Sequence, residues 1–278
     1  MRTFLCTAAA AAFIAATPAF AAPVNYSGSQ GTVQFNVPTV SSNGLRWTGQ
    51  QYINPTKVIY DSATGTYTLR DTGSPTKTST FTGGVVGADY TTFTKSSGGV
   101  TETFKVLNKA NTLVPLTYVQ YGKWRRTGQS GLYAYNDTYV VFGTKTARSA
   151  IPTSGTGNYT TVHDGTYLNK NGVYSVSGMG TFTANFGAGT ISYDAALTGT
   201  PEAGGAAINF GTVGGSGSIS RGNFSGRDTG YNAQGFLMDV KGNFYGPAAE
   251  EVGGIFLLRG SSSAVGGTGS GTGAFVGN

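Results

Sequence analysis

Thr181-Phe182-Thr183-Ala184-Asn185-Phe186-Gly187-Ala188-Gly189-Thr190-Ile191-Ser192-Tyr193-Asp194-Ala195-Ala196-Leu197 alternates apolar and polar side chains on both sides of a glycine-rich link. Phe182, Ala184 and Phe186 fall on one face of an extended chain, with Thr181, Thr183 and Asn185 on the other. Ile191, Tyr193, Ala195 and Leu197 repeat the pattern, with Thr190, Ser192 and Asp194 opposite. Two half-buried strands joined by Gly187-Ala188-Gly189 read as a hairpin. Similar short runs end near residues 174–176, 219–224, 236–244 and 255–258. Ala274-Phe275-Val276 supplies a last strand after a Gly/Ser-rich stretch that begins at Gly260. Regular strands with glycine punctuation predict an antiparallel meander that curls into a barrel. One helical turn is expected over residues 247–252, with Pro247 at its first position and Gly253 as its stop.

The first half is strand-like but less regular, its clearest runs lying at 57–61, 66–70, 101–107, 117–121, 131–136 and 138–142. Charged residues make up only 11% of the chain, which holds 16 Tyr and 16 Phe, and that balance argues for an all-β fold against disorder. Residues 23–147 carry eleven Lys/Arg against five Asp/Glu, whereas 148–278 carry six against seven. A basic first half and a neutral second half suggest two units with different work, meeting near residues 150–155. The same surplus also serves solubility.

Met1-Arg2-Thr3, an alanine-rich apolar core and Pro18-Ala19-Phe20-Ala21 form the pattern of a secretory signal peptide over residues 1–21, cleaved after Ala21. The single cysteine, Cys6, precedes most of that core, which argues against a lipid anchor. The mature chain is then expected outside the cytoplasm, as a secreted, cell-surface or periplasmic protein without disulfides. No later run is long and apolar enough for a transmembrane helix.

Catalytic patterns are missing. His163 and Asp164 are neighbours, so in a strand they point to opposite faces, a poor geometry for a Ser-His-Asp relay. Gly122-Lys123-Trp124 lacks the remainder of a phosphate loop, and Glu250-Glu251 have no identifiable partner carboxylate for glycoside hydrolysis. A lone histidine does not make a zinc site. A non-enzyme is expected. Residues that could contact a ligand cluster at Trp124, Arg125 and Arg126, followed by Tyr133 and Tyr135. Trp, Tyr and Arg join large contact areas to polar handles and anchor interfaces, although tyrosines lining strands also serve as core. Arg125–Ser130 reads as a hydrophilic hairpin loop, which places both arginines at an exposed tip. His163 is either a packing residue or an axial ligand to haem iron. No basic stripe accompanies the aromatics, so nucleic acid is not expected.

Gly242-Asn243-Phe244-Tyr245-Gly246-Pro247-Ala248-Ala249-Glu250-Glu251-Val252-Gly253-Gly254-Ile255-Phe256 resembles the β-barrel signature of the transferrin-binding protein B family. The hairpin 180–192 and the opening segment 153–160 resemble that family as well, in the same order. The resemblance covers roughly residues 151–278. It implies a handle-like β domain over 22–147 and a C-terminal antiparallel barrel of about eight strands over 148–278. It further implies a single-lobe, non-lipidated binding protein similar to hemophilins or factor H-binding proteins. The implied ligand is haem or a host iron-carrying protein, and an outer-membrane receptor is an implied further partner. The barrel is expected to stand alone when separated from the first half. The alternative reading is a structural or adhesive exported β-protein with no iron-related ligand.

Overall fold

The computed structural model describes residues 24–35, 39–41, 44–46, 49–71, 77–128, 135–260 and 268–278. Antiparallel strands make up nearly all of its regular secondary structure. The first eleven are β1 (Val24–Phe35), β2 (Thr39–Ser41), β3 (Gly44–Arg46), β4 (Gly49–Asp61), β5 (Thr66–Asp71), β6 (Lys77–Phe81), β7 (Val85–Val86), β8 (Tyr90–Ser97), β9 (Val100–Leu107), β10 (Val119–Thr127) and β11 (Tyr135–Gly143). Nine of these form one sheet in the order β6-β5-β4-β1-β11-β10-β9-β8-β7, and β2 pairs with β3 separately. The two edge strands β6 and β7 are consecutive in the chain. Only residues 82–84 separate them, and the four steps from Phe81 to Val85 span at most about 14 Å, so the sheet must curl until its edges approach each other. Lys95 of β8 spans the gap, donating to the Thr80 carbonyl at 3.1 Å and lying 4.7 Å over the Phe81 ring. Val58, Leu69, Phe81, Phe93, Phe104, Trp124 and Phe142 fill the space enclosed by this curl.

The other eight strands are β12 (Thr156–Asn169), β13 (Gly172–Asn185), β14 (Thr190–Pro201), β15 (Ile208–Ser220), β16 (Asn223–Arg227), β17 (Phe236–Tyr245), β18 (Glu251–Gly260) and β19 (Gly269–Gly277). They close into a barrel in chain order, β19 pairing back onto β12. The expected hairpin is β13–β14, with Phe182 opposite Tyr193 and Ala184 opposite Ile191. Its alternation is the burial pattern of β14, in which Ile191, Tyr193, Ala195 and Leu197 are all buried. The barrel interior is packed with rings: Phe182 lies 4.6 Å from Phe224, and Phe210 lies 4.8 Å from Phe236. Each fully buried ring stabilises the fold by about 2–3 kcal/mol relative to exposure. β16 is short, so the upper parts of β15 and β17 are joined through Asn232. Its amide donates to the Phe210 and Thr212 carbonyls and accepts from the Phe236 N–H.

One expectation needs correction. Residues 246–250 form a turn and not a helical turn, and β18 starts at Glu251. Gly246 and Ala249 both take positive φ, +88° and +65°, which a right-handed helix cannot include. The Glu250 carboxylate closes the turn by accepting the Ala248 N–H at 2.8 Å, while the Ala249 carbonyl accepts the Tyr159 hydroxyl at 2.6 Å. A single 3₁₀ turn, Arg148–Ala150, lies between the sheet and the barrel. Among the described residues, no helix is long and apolar enough to cross a membrane.

Candidate binding seam

Alternation along β10 sends Trp124 into the curled N-terminal sheet, and Val119, Tyr121, Lys123 and Arg125 toward the barrel. Asp137, Tyr139 and Val141 of β11 face the same way. From the barrel, Val162, Asp164 and Thr166 of β12 meet them, together with Tyr245, Ile255, Ala274 and Val276. The seam is graded. One end is apolar, and there a side chain at Gly253 would begin 2.9 Å from both Val119 and Val141, so a bare backbone is what lets sheet and barrel approach. The middle carries hydroxyls, with Tyr139 bonded to Thr166 at 2.8 Å and Tyr90 to Tyr121 at 2.8 Å. The far end is ionic.

At that ionic end Asp137 is fully buried. Arg125 meets it with two parallel bonds of 2.6 Å, Lys123 stands at 3.3 Å, and the Thr166 hydroxyl donates at 2.7 Å. Burial by itself would raise the Asp137 carboxyl, but Lys123, Arg125 and Thr166 outweigh it and hold the group down at about 2. Arg125 also grips Glu202, at the end of the β14 region of the barrel, with bonds of 2.8 and 2.7 Å. One guanidinium thus joins a carboxylate of the sheet to one of the barrel, in the bidentate geometry that gives such pairs their strength.

Beside this network a cleft of about 400 Å³ opens between sheet and barrel. Its walls include Tyr90, Lys105 and Leu113 on one side and Val162, Asp164 and Met179 on the other. Burial raises the Asp164 carboxyl, while Lys123 and Lys105 pull it down.

The expected site residues are dispersed. Trp124 is core, its indole N–H bonded to Glu102 at 2.8 Å. Arg126 is only 4% exposed and stacks over the Trp124 ring at 4.3 Å. Arg125 lies on the opposite face of the strand, in the seam. The exposed hairpin tip is therefore corrected: both arginines sit inside β10, which runs to Thr127. Arg125 reads as loop because its partners, Asp137 and Glu202, stand 12 and 77 positions away. Tyr135 begins β11 opposite Thr127, and its side chain, like all of Tyr133, lies outside the described residues. The His163 ring points into the barrel, stacked 5.3 Å from Phe275 and 5.7 Å from Phe256, and burial lowers its pKa to about 3. Sequence reasoning missed Lys123, Asp137, Glu202 and Asp164 as a group. Among the described residues, no three His, Cys, Asp or Glu side chains gather as metal ligands.

Residues 128–277 match the family described as the C-lobe and N-lobe β-barrels of Tf-binding protein B. No curated protein matches the sequence. Among solved structures the chain is similar to intact Ap-TbpB with its N and C lobes, at 14% identity and a TM-score of 0.46, over 92% of this chain and 76% of that one. It is similar to a mutant transferrin-binding protein B from Haemophilus parasuis at 14% identity, with the same coverages and TM-score. The isotype 1 protein of serogroup B Neisseria meningitidis is 11% identical, with the same coverages and a TM-score of 0.43. The family match takes in more than half of the sequence, and the chain belongs to the family of the C-lobe and N-lobe β-barrels of transferrin-binding protein B.

Proposed function

We propose that this chain is an exported, non-enzymatic binding protein that captures a host iron-carrying protein or haem. Its barrel serves as scaffold, and its basic N-terminal, handle-like half takes the ligand. Membership of the transferrin-binding protein B barrel family is the observation that carries this reading. Two features support the division of labour. Aromatic rings fill the barrel interior, leaving ligand recognition to outer surfaces and loops. The surplus positive charge belongs to residues 23–147, which suits an acidic protein surface or the haem propionates. Trp124 and Arg126 are enclosed and Arg125 is engaged by two carboxylates, so of the contacts expected from the sequence in the basic half the proposal keeps Tyr133 and Tyr135. The reading includes cleavage of residues 1–21, so that the exported chain starts at Ala22.

Haemin titration of the mature protein, followed by capture from host serum on immobilised protein, tests the proposal. A Soret band or the enrichment of an iron-carrying protein is expected. Failure of both would set the reading aside. A second reading, adhesion or self-association, draws on β7, where Val85 and Val86 are 74% and 75% exposed on a sheet edge. Concentration-dependent association that a Val85→Lys, Val86→Lys double substitution abolishes would favour it.

A further inference from the structure

We propose that the cleft between the N-terminal sheet and the barrel is a binding site for a small zwitterion with an apolar side chain, that is, an apolar α-amino acid or its dipeptide. This is separate from capture of an iron carrier and does not rest on it. Ligand pockets favour boundaries between packed units, and about 400 Å³ lies at the small end of their usual range.

The chemistry of the walls narrows the class. Asp164 presents a half-buried carboxylate whose sole hydrogen bond among the described residues is a long one, 3.5 Å from the Tyr121 hydroxyl. A carboxylate has room for about four donors, so this one lacks most of its complement. Tyr121 is itself tied to Tyr90 at 2.8 Å and cannot swing closer without losing that bond. Lys105 supplies the opposite charge. Its ammonium lies 3.7 Å over the Tyr90 ring and, among the described residues, has no carboxylate within ion-pair distance, whereas Lys123 is committed to Asp137 and Thr166. The same cleft is lined by Leu113 and Met179, large apolar side chains left 40% and 42% exposed.

A purely apolar occupant would strip water from Asp164 and Lys105 and give nothing back. A simple anion would meet Asp164, and a simple cation would meet Lys105. A zwitterion places its ammonium on Asp164 and its carboxylate on Lys105, and covers Leu113 and Met179 with its side chain. Each unmet requirement of the cleft is then answered by one part of the ligand.

Isothermal titration calorimetry of the full mature chain with L-leucine, L-phenylalanine and Leu-Leu tests this, with N-acetyl-leucine and leucinamide as blocked probes. Saturable one-to-one binding of at least one zwitterion is expected, with each blocked probe weaker by tenfold or more. Asp164→Asn and Lys105→Met should each weaken binding by a similar factor. Asp164→Asn should leave the melting temperature unchanged or higher, because it removes a poorly partnered buried charge. Absence of binding by all three zwitterions, or binding that both variants leave unchanged, would overturn the proposal. Neither result bears on haemin or serum capture.

Discussion

The carboxylate of Glu251, in the barrel, accepts three consecutive backbone N–H groups at the entry to β10 of the N-terminal sheet, from Thr117 at 2.5 Å, Tyr118 at 2.9 Å and Val119 at 2.8 Å. Glu251 is the second glutamate of the signature segment and is 3% exposed. The segment that marks the barrel therefore also ties the barrel to what precedes it. Glu251→Ala should cost about 3 kcal/mol, because charge-assisted bonds are lost and buried N–H groups are left without an acceptor. Glu251→Gln, which keeps one acceptor oxygen, should cost less. Urea denaturation monitored by tryptophan fluorescence checks the order, and equal losses would contradict it.

Arg125 and Asp137 should couple strongly in a double-mutant cycle. Arg125→Met leaves the buried Asp137 carboxylate with Lys123 as its one cation and the Thr166 hydroxyl as its one close donor, and should destabilise by about 3 kcal/mol. In an Asp137→Asn background the same change should cost at least 1 kcal/mol less. Additive losses in thermal or chemical unfolding would show that the pair does not act as a unit.

Stability should fall with acid in two stages. Burial takes His163 from 6.5 to about 3, so below pH 6.5 the unfolded chain binds a proton that the folded chain refuses. Stability contributed by the neutral ring is complete above 6.5 and declines as pH falls toward 3, by about 2 kcal/mol at pH 5. Asp137, held at about 2 against an ordinary 3.8, adds a second loss below pH 4. Asp164, raised by burial, acts in the opposite sense and favours the folded state as pH drops through its range. His163→Phe should flatten the slope between pH 7 and 5. An unchanged slope would contradict the enclosure of this ring.

Much of the barrel was legible in the sequence because its information is local. Phe182, Ala184, Ile191 and Tyr193 alternate within single strands, and short glycine links set their pairing. The turn at Gly246–Glu250 was misread as helical because Pro247 and two alanines fit a first helical turn, while the positive φ of Ala249 follows from packing on Tyr159. The seam was hidden for a different reason. Lys123, Arg125 and Asp137 look like surface polar residues until Glu202 and Thr166 arrive from the barrel, and no local pattern announces partners 29 to 77 positions away. His163 was legible only as an alternative, and its inward direction follows from the pairing of β12 with β13 and β19.

Residues 148–278 expressed alone should keep the far-UV signature of β structure, because closure leaves no free sheet edge. Separation also uncovers Val162, Tyr245, Ile255, Ala274 and Val276, an apolar face that the N-terminal sheet covers in the whole chain. Self-association in analytical ultracentrifugation is therefore expected. A disordered spectrum would contradict an independent barrel, and a strict monomer would contradict the adhesive character of that face.

Capture of an iron carrier is tested most directly by immobilising the mature chain, residues 22–278, and measuring equilibrium binding of transferrin, lactoferrin and haemin side by side. Saturable binding of at least one of them is expected, weakened at high salt if the basic half meets an acidic partner, and insensitive to Asp164→Asn in the cleft. No saturable binding by any of the three at low salt would contradict it.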